Sequence, residues 1–132
     1  MKKESKSFRS DLGRARGLGS AKSGTGHWMA MRLTAVILVP LSIYVILTFF
    51  NYVVYGGYDG ALYWMRSPFT ATFLILFLAA GFHHAANGTQ EVIEDYVHCE
   101  CAKIASIVAV KFVAAICALL GILAVVKVLF GV

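Results

Sequence analysis

Residues 83–98, HHAANGTQEVIEDYVH, place imidazole, carboxylate and phenol groups close together in the chain. They follow directly on residues 67–82, SPFTATFLILFLAAGF, which carry no charge at all. Polar groups at membrane depth are costly and are usually present for a function. This stretch therefore either binds something or marks the point at which a helix leaves the bilayer.

Helical geometry divides the stretch into a deep part and a surface part. At 100° per residue, one stripe about 60° wide holds His84, Gly88, Glu91 and Asp95. His83 points about 100° away from this stripe. With a rise of about 1.5 Å per residue, His84 lies roughly 16 Å deeper than Asp95. We expect an imidazole well inside the bilayer, a glycine one turn further on, and a carboxylate at the membrane surface.

The deep part suits a haem ligand. A neutral imidazole such as His84 can coordinate iron without burying a net charge. Gly88 would leave space for a flat macrocycle against the helix. The alternative is that His84 only hydrogen-bonds a neighbouring helix. Because His27 and His98 are too shallow to be a second axial ligand, haem binding would require a second subunit.

The surface part suits a quinone. The Tyr96 phenol can hydrogen-bond a quinone carbonyl, and the Asp95 carboxylate can help relay protons. The alternative is a solvated helix end with an interfacial tyrosine. Arg32 lies near the same membrane face, where it can pair with a haem propionate or act as the last residue of a positive-inside cluster.

The composition indicates a membrane protein. Of the 132 residues, 59% are hydrophobic and 14% are charged, and a soluble domain has about 25% charged residues. Residues 28–54, 68–94 and 104–130 form three apolar runs, each long enough to cross a bilayer. We predict an all-α fold with three transmembrane helices. Clusters of Gly and Ala in these runs indicate close packing within a multi-subunit helical bundle.

Residues 1–27 form a separate polar segment ahead of the three-helix anchor at 28–132. The segment is rich in Gly and Ser and is predicted to be flexible. It holds seven of the twelve basic residues, and the positive-inside rule explains them better than nucleic-acid binding does. We therefore expect a cytoplasmic N-terminus, an outer Gly- and Tyr-rich connector at 55–68, and an N-in/C-out topology. A mitochondrial presequence is the alternative, against which Glu4 and Asp11 count.

The remaining reactive side chains indicate no further site. Cys99, Cys101 and Cys117 are predicted to be free thiols, because too few other ligands lie nearby for a metal and no disulfide framework is apparent. Lys127 can extend to the membrane surface. Lys111 lies deeper in the third span and needs a lipid headgroup or a protein partner.

Two segments together resemble the small hydrophobic membrane-anchor subunit of succinate dehydrogenase. Residues 19–42, GSAKSGTGHWMAMRLTAVILVPLS, have a Ser/Gly-rich lead, His and Trp, and Arg-x-Thr-Ala at the start of the first span. Residues 84–98 have a His, a Gly four residues on, a Gln, and Asp-Tyr eleven and twelve residues after the His. The resemblance extends over about residues 19–132.

The resemblance implies roles for individual residues. His84 matches an axial ligand of a b-type haem shared with a second membrane-anchor protein, because it keeps the twelve-residue spacing to Tyr96 that His83 lacks. Arg32 matches a basic residue near the haem propionates. Tyr96 and Asp95 match the ubiquinone site. The implied partners are the second anchor, the iron–sulfur subunit, the flavoprotein subunit and membrane lipid.

The implied function is that of a membrane anchor of succinate:ubiquinone oxidoreductase, which connects the tricarboxylic acid cycle to the respiratory chain. The chain is not expected to be an enzyme on its own. The expected location is a bacterial inner membrane, ahead of the mitochondrial inner membrane. The alternatives are an anchor for a menaquinone-linked fumarate reductase and a non-redox scaffold or transporter subunit.

Overall fold

The computed structural model describes residues 12–13 and 24–131, and it is dominated by helices. Residues 24–131 contain four α-helices: α1 (Gly24–Thr48), α2 (Gly57–Met65), α3 (Pro68–Tyr96) and α4 (Glu100–Phe130). A π-helical segment, Phe49–Val54, continues α1. The part of the chain that the structure describes contains no β-strand.

Among the described residues, three helical stretches are long and apolar enough to cross a membrane: Gly24–Val54, Pro68–Tyr96 and Glu100–Phe130. The predicted all-α fold with three spans is thus confirmed. α1 passes through Pro40 without ending, as membrane helices can when the freed carbonyl finds another partner.

The helices extend beyond the predicted spans. α1 begins at Gly24, so residues 24–27, which were predicted to precede the first span, form its first turn. The rest of the predicted flexible segment lies outside the described residues, apart from residues 12–13. α3 continues to Tyr96 and α4 begins at Glu100, which leaves only residues 97–99 between them. The short connection forces these two helices to pack as antiparallel neighbours.

The predicted connector after the first span contains the short helix α2. Gly57 has a φ of 62°, a conformation that favours glycine. A Cβ on Gly56 or Gly60 would overlap the carbonyl oxygen of Tyr52. These glycines therefore let α2 fold tightly against the π-helical segment.

α3 is the central helix, because it packs against both α1 and α4. On the α1 side, the Tyr44 hydroxyl lies 3.3 Å from Thr70 Oγ1, and the Tyr44 ring centroid lies 4.7 Å from that of Phe73. On the α4 side, a Cβ on Gly121 would lie 3.1 Å from Leu78 Cδ1. Small residues allow such close approach between membrane helices.

Few side chains of the described residues are buried within the chain. Five apolar and two polar residues are buried, whereas Leu33, Phe112 and Phe130 are 58%, 68% and 74% exposed. Lipid tails are as apolar as these side chains, so such faces can contact lipid or other membrane helices. The exposed surfaces leave room for the predicted multi-subunit bundle.

Candidate functional site

A cleft of about 660 Å³ between α1 and α3 brings together side chains that are far apart in sequence. His84 and Arg32, both predicted as site residues, line this cleft. It is also lined by His27, Trp28, Met31 and Glu91. The antiparallel arrangement of the two helices places His27 against Glu91 and, deeper in the span, Thr34 against His84.

His84 is held by a threonine on the neighbouring helix. Thr34 Oγ1 lies 3.0 Å from His84 Nδ1. The same hydroxyl lies 2.8 Å from the carbonyl oxygen of Ala30 and 3.1 Å from that of Met31. The hydroxyl can donate its one hydrogen bond to either carbonyl, as threonine side chains in helices commonly do. The contact to Thr34 sets the ring orientation of His84.

The mouth of the cleft carries charged and aromatic groups. The Arg32 guanidinium lies over the Trp28 ring, 5.1 Å from its centroid, and this cation–π contact restrains an otherwise exposed side chain. His27 Nε2 lies 3.6 Å from Glu91 Oε1. The cleft therefore has an imidazole at its inner end and a guanidinium, an imidazole and a carboxylate closer to the helix ends.

Gly88 lies against α1. A Cβ at this position would lie 3.9 Å from Met31 Cε, which is an ordinary van der Waals contact. Alanine would therefore fit there, whereas a longer side chain would displace Met31. Because Met31 lines the cleft, the size of residue 88 bears on the shape of the cleft.

His83 is separated from the His84 cleft. Its ring nitrogens each lie 3.4 Å from Asn87 Nδ2, one turn further along α3. The His83 side chain borders a second cleft, between α3 and α4. The structure thus directs the two adjacent histidines toward different helices.

Asp95 and Tyr96 form the last two residues of α3. Both are exposed, and neither lines the His84 cleft. Tyr96 is 78% exposed and hydrogen-bonds no other described residue through its hydroxyl. Twelve residues of helix separate it from His84, a distance of about 18 Å along the axis.

The described residues contain no group of three or more His, Cys, Asp or Glu side chains that could hold a metal ion. Cys99, Cys101 and Cys117 are free and exposed. A single imidazole from this chain is nevertheless compatible with one axial position of a haem, whose other ligands come from the macrocycle and from a second protein ligand.

Sequence reasoning placed Glu91 on the His84 stripe and judged His27 too shallow to be a ligand, but it gave neither of them, nor Thr34, a role at the site. A signal for them was present. His27 precedes Thr34 by seven residues and Glu91 follows His84 by seven, a spacing that keeps each pair on one helix face. Thr34 belongs to the quoted Arg-x-Thr-Ala motif, but the motif alone predicts no role for it.

Comparisons with known proteins agree on one family. The succinate dehydrogenase/fumarate reductase transmembrane subunit family matches residues 6–118. The chain is similar to the succinate dehydrogenase hydrophobic membrane anchor subunit of Rickettsia bellii (strain RML369-C), with 35% identity over 105 residues, 79% of this chain and 82% of the relative.

Two further relatives come from other organisms. The hydrophobic membrane anchor subunit of Paracoccus denitrificans succinate dehydrogenase is 35% identical over 101 residues, 74% of this chain and 75% of the relative. The succinate dehydrogenase membrane anchor subunit of Reclinomonas americana is 29% identical over 98 residues, 70% of this chain and 79% of the relative. No solved structure matches the chain.

Proposed function

This chain belongs to the succinate dehydrogenase/fumarate reductase transmembrane subunit family, and on that basis we propose that it is a membrane anchor of succinate:ubiquinone oxidoreductase. It is a non-catalytic, multi-pass membrane subunit that works with the other subunits of the complex. The proposed partners are a second anchor, an iron–sulfur subunit and a flavoprotein subunit. The proposed location is a bacterial inner membrane, with the N-terminus in the cytoplasm, which the basic residues ahead of α1 favour.

In this proposal, His84 is one axial ligand of a b-type haem, and the second ligand comes from the other anchor. The observation that carries the haem assignment is the contact between His84 and Thr34. Because the Thr34 hydroxyl can donate its hydrogen bond to a backbone carbonyl, its oxygen can accept a hydrogen bond from His84 Nδ1–H. That arrangement leaves Nε2 with its lone pair, as an iron ligand requires.

The other residues of the cleft fit the same ligand. Arg32 is a cation held over Trp28, and a guanidinium can bind the carboxylate of a haem propionate through two hydrogen bonds. Gly88 leaves room for Met31, which lines the cleft. When bound, a b-type haem supplies one-electron chemistry, whereas this chain supplies the ligand, the charge and the shape of the site.

The quinone site is proposed at Asp95 and Tyr96. The Tyr96 hydroxyl has no partner among the described residues, so it is available to donate a hydrogen bond to a quinone carbonyl. Reduction of a quinone takes up two protons, and an exposed carboxylate such as Asp95 can transfer them from water. Both side chains are exposed on this chain, so partner subunits would have to supply the rest of the quinone pocket.

Purification of the complex through this chain tests the proposal. We expect a reducible b-type haem spectrum together with a flavoprotein, an iron–sulfur protein and a second anchor. Succinate:ubiquinone activity should exceed menaquinol:fumarate activity, and the reverse ratio would favour the fumarate reductase alternative. A colourless preparation without redox subunits would favour a non-redox scaffold.

A further inference from the structure

A second cleft, of about 420 Å³, lies between α3 and α4 and shares no lining residue with the His84 cleft. One end of it is polar and is formed by Lys111, His83 and Asn87. The remainder is apolar, and alanines such as Ala115 and Ala118 form its wall. The cleft therefore has the polarity of an amphiphile, with a cationic head region and an apolar channel.

Lys111 is a cation inside the third span. It lies eleven residues after Glu100, or about 16 Å along the helix axis. It forms no ion pair and no hydrogen bond with any of the residues that the structure describes. Charged groups within membrane spans face cavities and pair with other groups. We therefore expect an anion from outside the described residues to pair with Lys111 at this end of the cleft.

The direction of the cleft matches the direction of a phospholipid. Side chains on a helix tilt toward its N-terminus, so the Lys111 ammonium extends toward the surface at residues 97–99. The apolar end is lined by Ala79 and Ile122, which lie about 12 Å and 16 Å deeper than Asn87 and Lys111 along their helices. The cationic end thus faces the membrane surface, and the apolar end faces the bilayer centre.

We propose that this cleft binds one anionic phospholipid of the leaflet next to residues 97–99. Its phosphate pairs with Lys111 beside His83 and Asn87, and one acyl chain lies along the alanine wall. The volume is in the range of small-molecule sites, about 300–1,000 Å³. A cation beside two polar side chains at one end and an apolar lining beyond them match the headgroup and acyl chain of an anionic phospholipid, which favours a lipid over a partner helix. The proposal is independent of the haem and quinone assignments.

The test uses the intact complex that contains this chain. Delipidated complex is incubated with vesicles of phosphatidylcholine that contain phosphatidylglycerol, and the retained lipids are counted by native mass spectrometry. Wild-type complex should retain one phosphatidylglycerol in preference to phosphatidylcholine. Lys111→Leu should lower this retention about fivefold, the factor that one lysine contributes to anionic-lipid binding near a membrane surface.

Matched variants separate charge from shape. Lys111→Arg should keep the phosphatidylglycerol, because it keeps the cation. Lys127→Leu removes a positive charge from the far end of α4 and should leave the retention of phosphatidylglycerol unchanged. Ala118→Phe should displace the lipid with Lys111 intact, because its ring fills the apolar channel. The haem content of all four variants should equal that of the wild type, since the His84 cleft lies on another face of α3.

Three results would overturn the proposal. The first is equal retention of phosphatidylglycerol by the wild type and Lys111→Leu. The second is equal retention of phosphatidylcholine and phosphatidylglycerol by the wild type, which would mean that the cleft does not select an anion. The third is loss of a partner subunit from Lys111→Leu with lipid retention unchanged, which would assign the anion to a carboxylate on a partner helix.

Discussion

His83 and His84 are adjacent in sequence, yet α3 places them in different surroundings. His84 is half-buried, and its Nδ1 lies 3.0 Å from Thr34 Oγ1 on α1. His83 is exposed and lies near Asn87 of its own helix, beside the α3–α4 cleft. Consecutive residues of a helix are 100° apart, so only one of the two rings can reach α1. The comparison teaches that the partner of an imidazole, more than the residue type, decides what the ring can bind.

The largest expected effect comes from replacing each histidine in turn. His84→Ala should abolish or severely disturb the b-type haem spectrum, because it removes the proposed axial ligand. His83→Ala should leave the spectrum present. Reduced-minus-oxidised spectra of the two purified complexes measure the difference, and the opposite pattern would assign the ligand to His83.

Thr34→Val removes the feature that distinguishes His84 from His83 while keeping the shape of the side chain. We expect haem affinity to fall about 10–100-fold, as is typical when the hydrogen-bond partner of a metal-bound histidine is lost. Haem content after titration with free haem measures this effect.

Thr34→Ser is the matched control, because serine restores the hydroxyl. It should recover most of the haem affinity that Thr34→Val loses. If valine and serine behaved alike, packing and not the hydrogen bond would be the contribution of Thr34.

Gly88→Leu tests whether the His84 face needs the close approach of α1 and α3. The leucine would displace Met31, and this overpacking should lower the free energy of unfolding by about 1–3 kcal/mol. Haem incorporation should fall as well. Gly88→Ala should be tolerated, because its Cβ would lie 3.9 Å from Met31 Cε. Pyridine haemochrome assays quantify the haem in both variants. Full haem content in Gly88→Leu would show that haem binding does not require a small residue at this position.

The smallest expected effect is at the surface end of α3, where a substitution should change quinone reduction and leave the haem at the deep end unaffected. Tyr96→Phe removes one hydrogen bond worth about 1 kcal/mol, so ubiquinone reductase activity should fall about fivefold. Succinate oxidation with an artificial acceptor and the haem spectrum should stay unchanged. An equal decrease in both activities would count against a quinone role for the phenol.

The membrane spans and the family were predictable from the sequence, because both depend on local patterns. Apolar runs of about 27 residues are long enough to cross a bilayer, and the structure has a long helix at each of them. The motif from His84 to Tyr96 carried the family resemblance, which the match to residues 6–118 confirms. The roles of His84, Arg32, Gly88, Asp95 and Tyr96 stay predictions.

The glycine-rich composition after the first span predicted a loop where the structure has a short helix. Residues 55–67 have the composition of a loop, yet they contain α2. Two of the glycines are there because the backbone packs against the Tyr52 carbonyl. Composition alone does not distinguish a glycine that permits close packing from one that ends a helix.

The sequence by itself determined which residues share a face of one helix, since a regular 100° step places His84, Gly88 and Asp95 together wherever the helix lies. Only the tertiary structure decided what those faces meet. The register between α1 and α3 sets Thr34 opposite His84, and the register between α3 and α4 places Lys111 at the polar end of a cleft. These registers follow from side-chain packing between helices distant in sequence, which no local periodicity encodes.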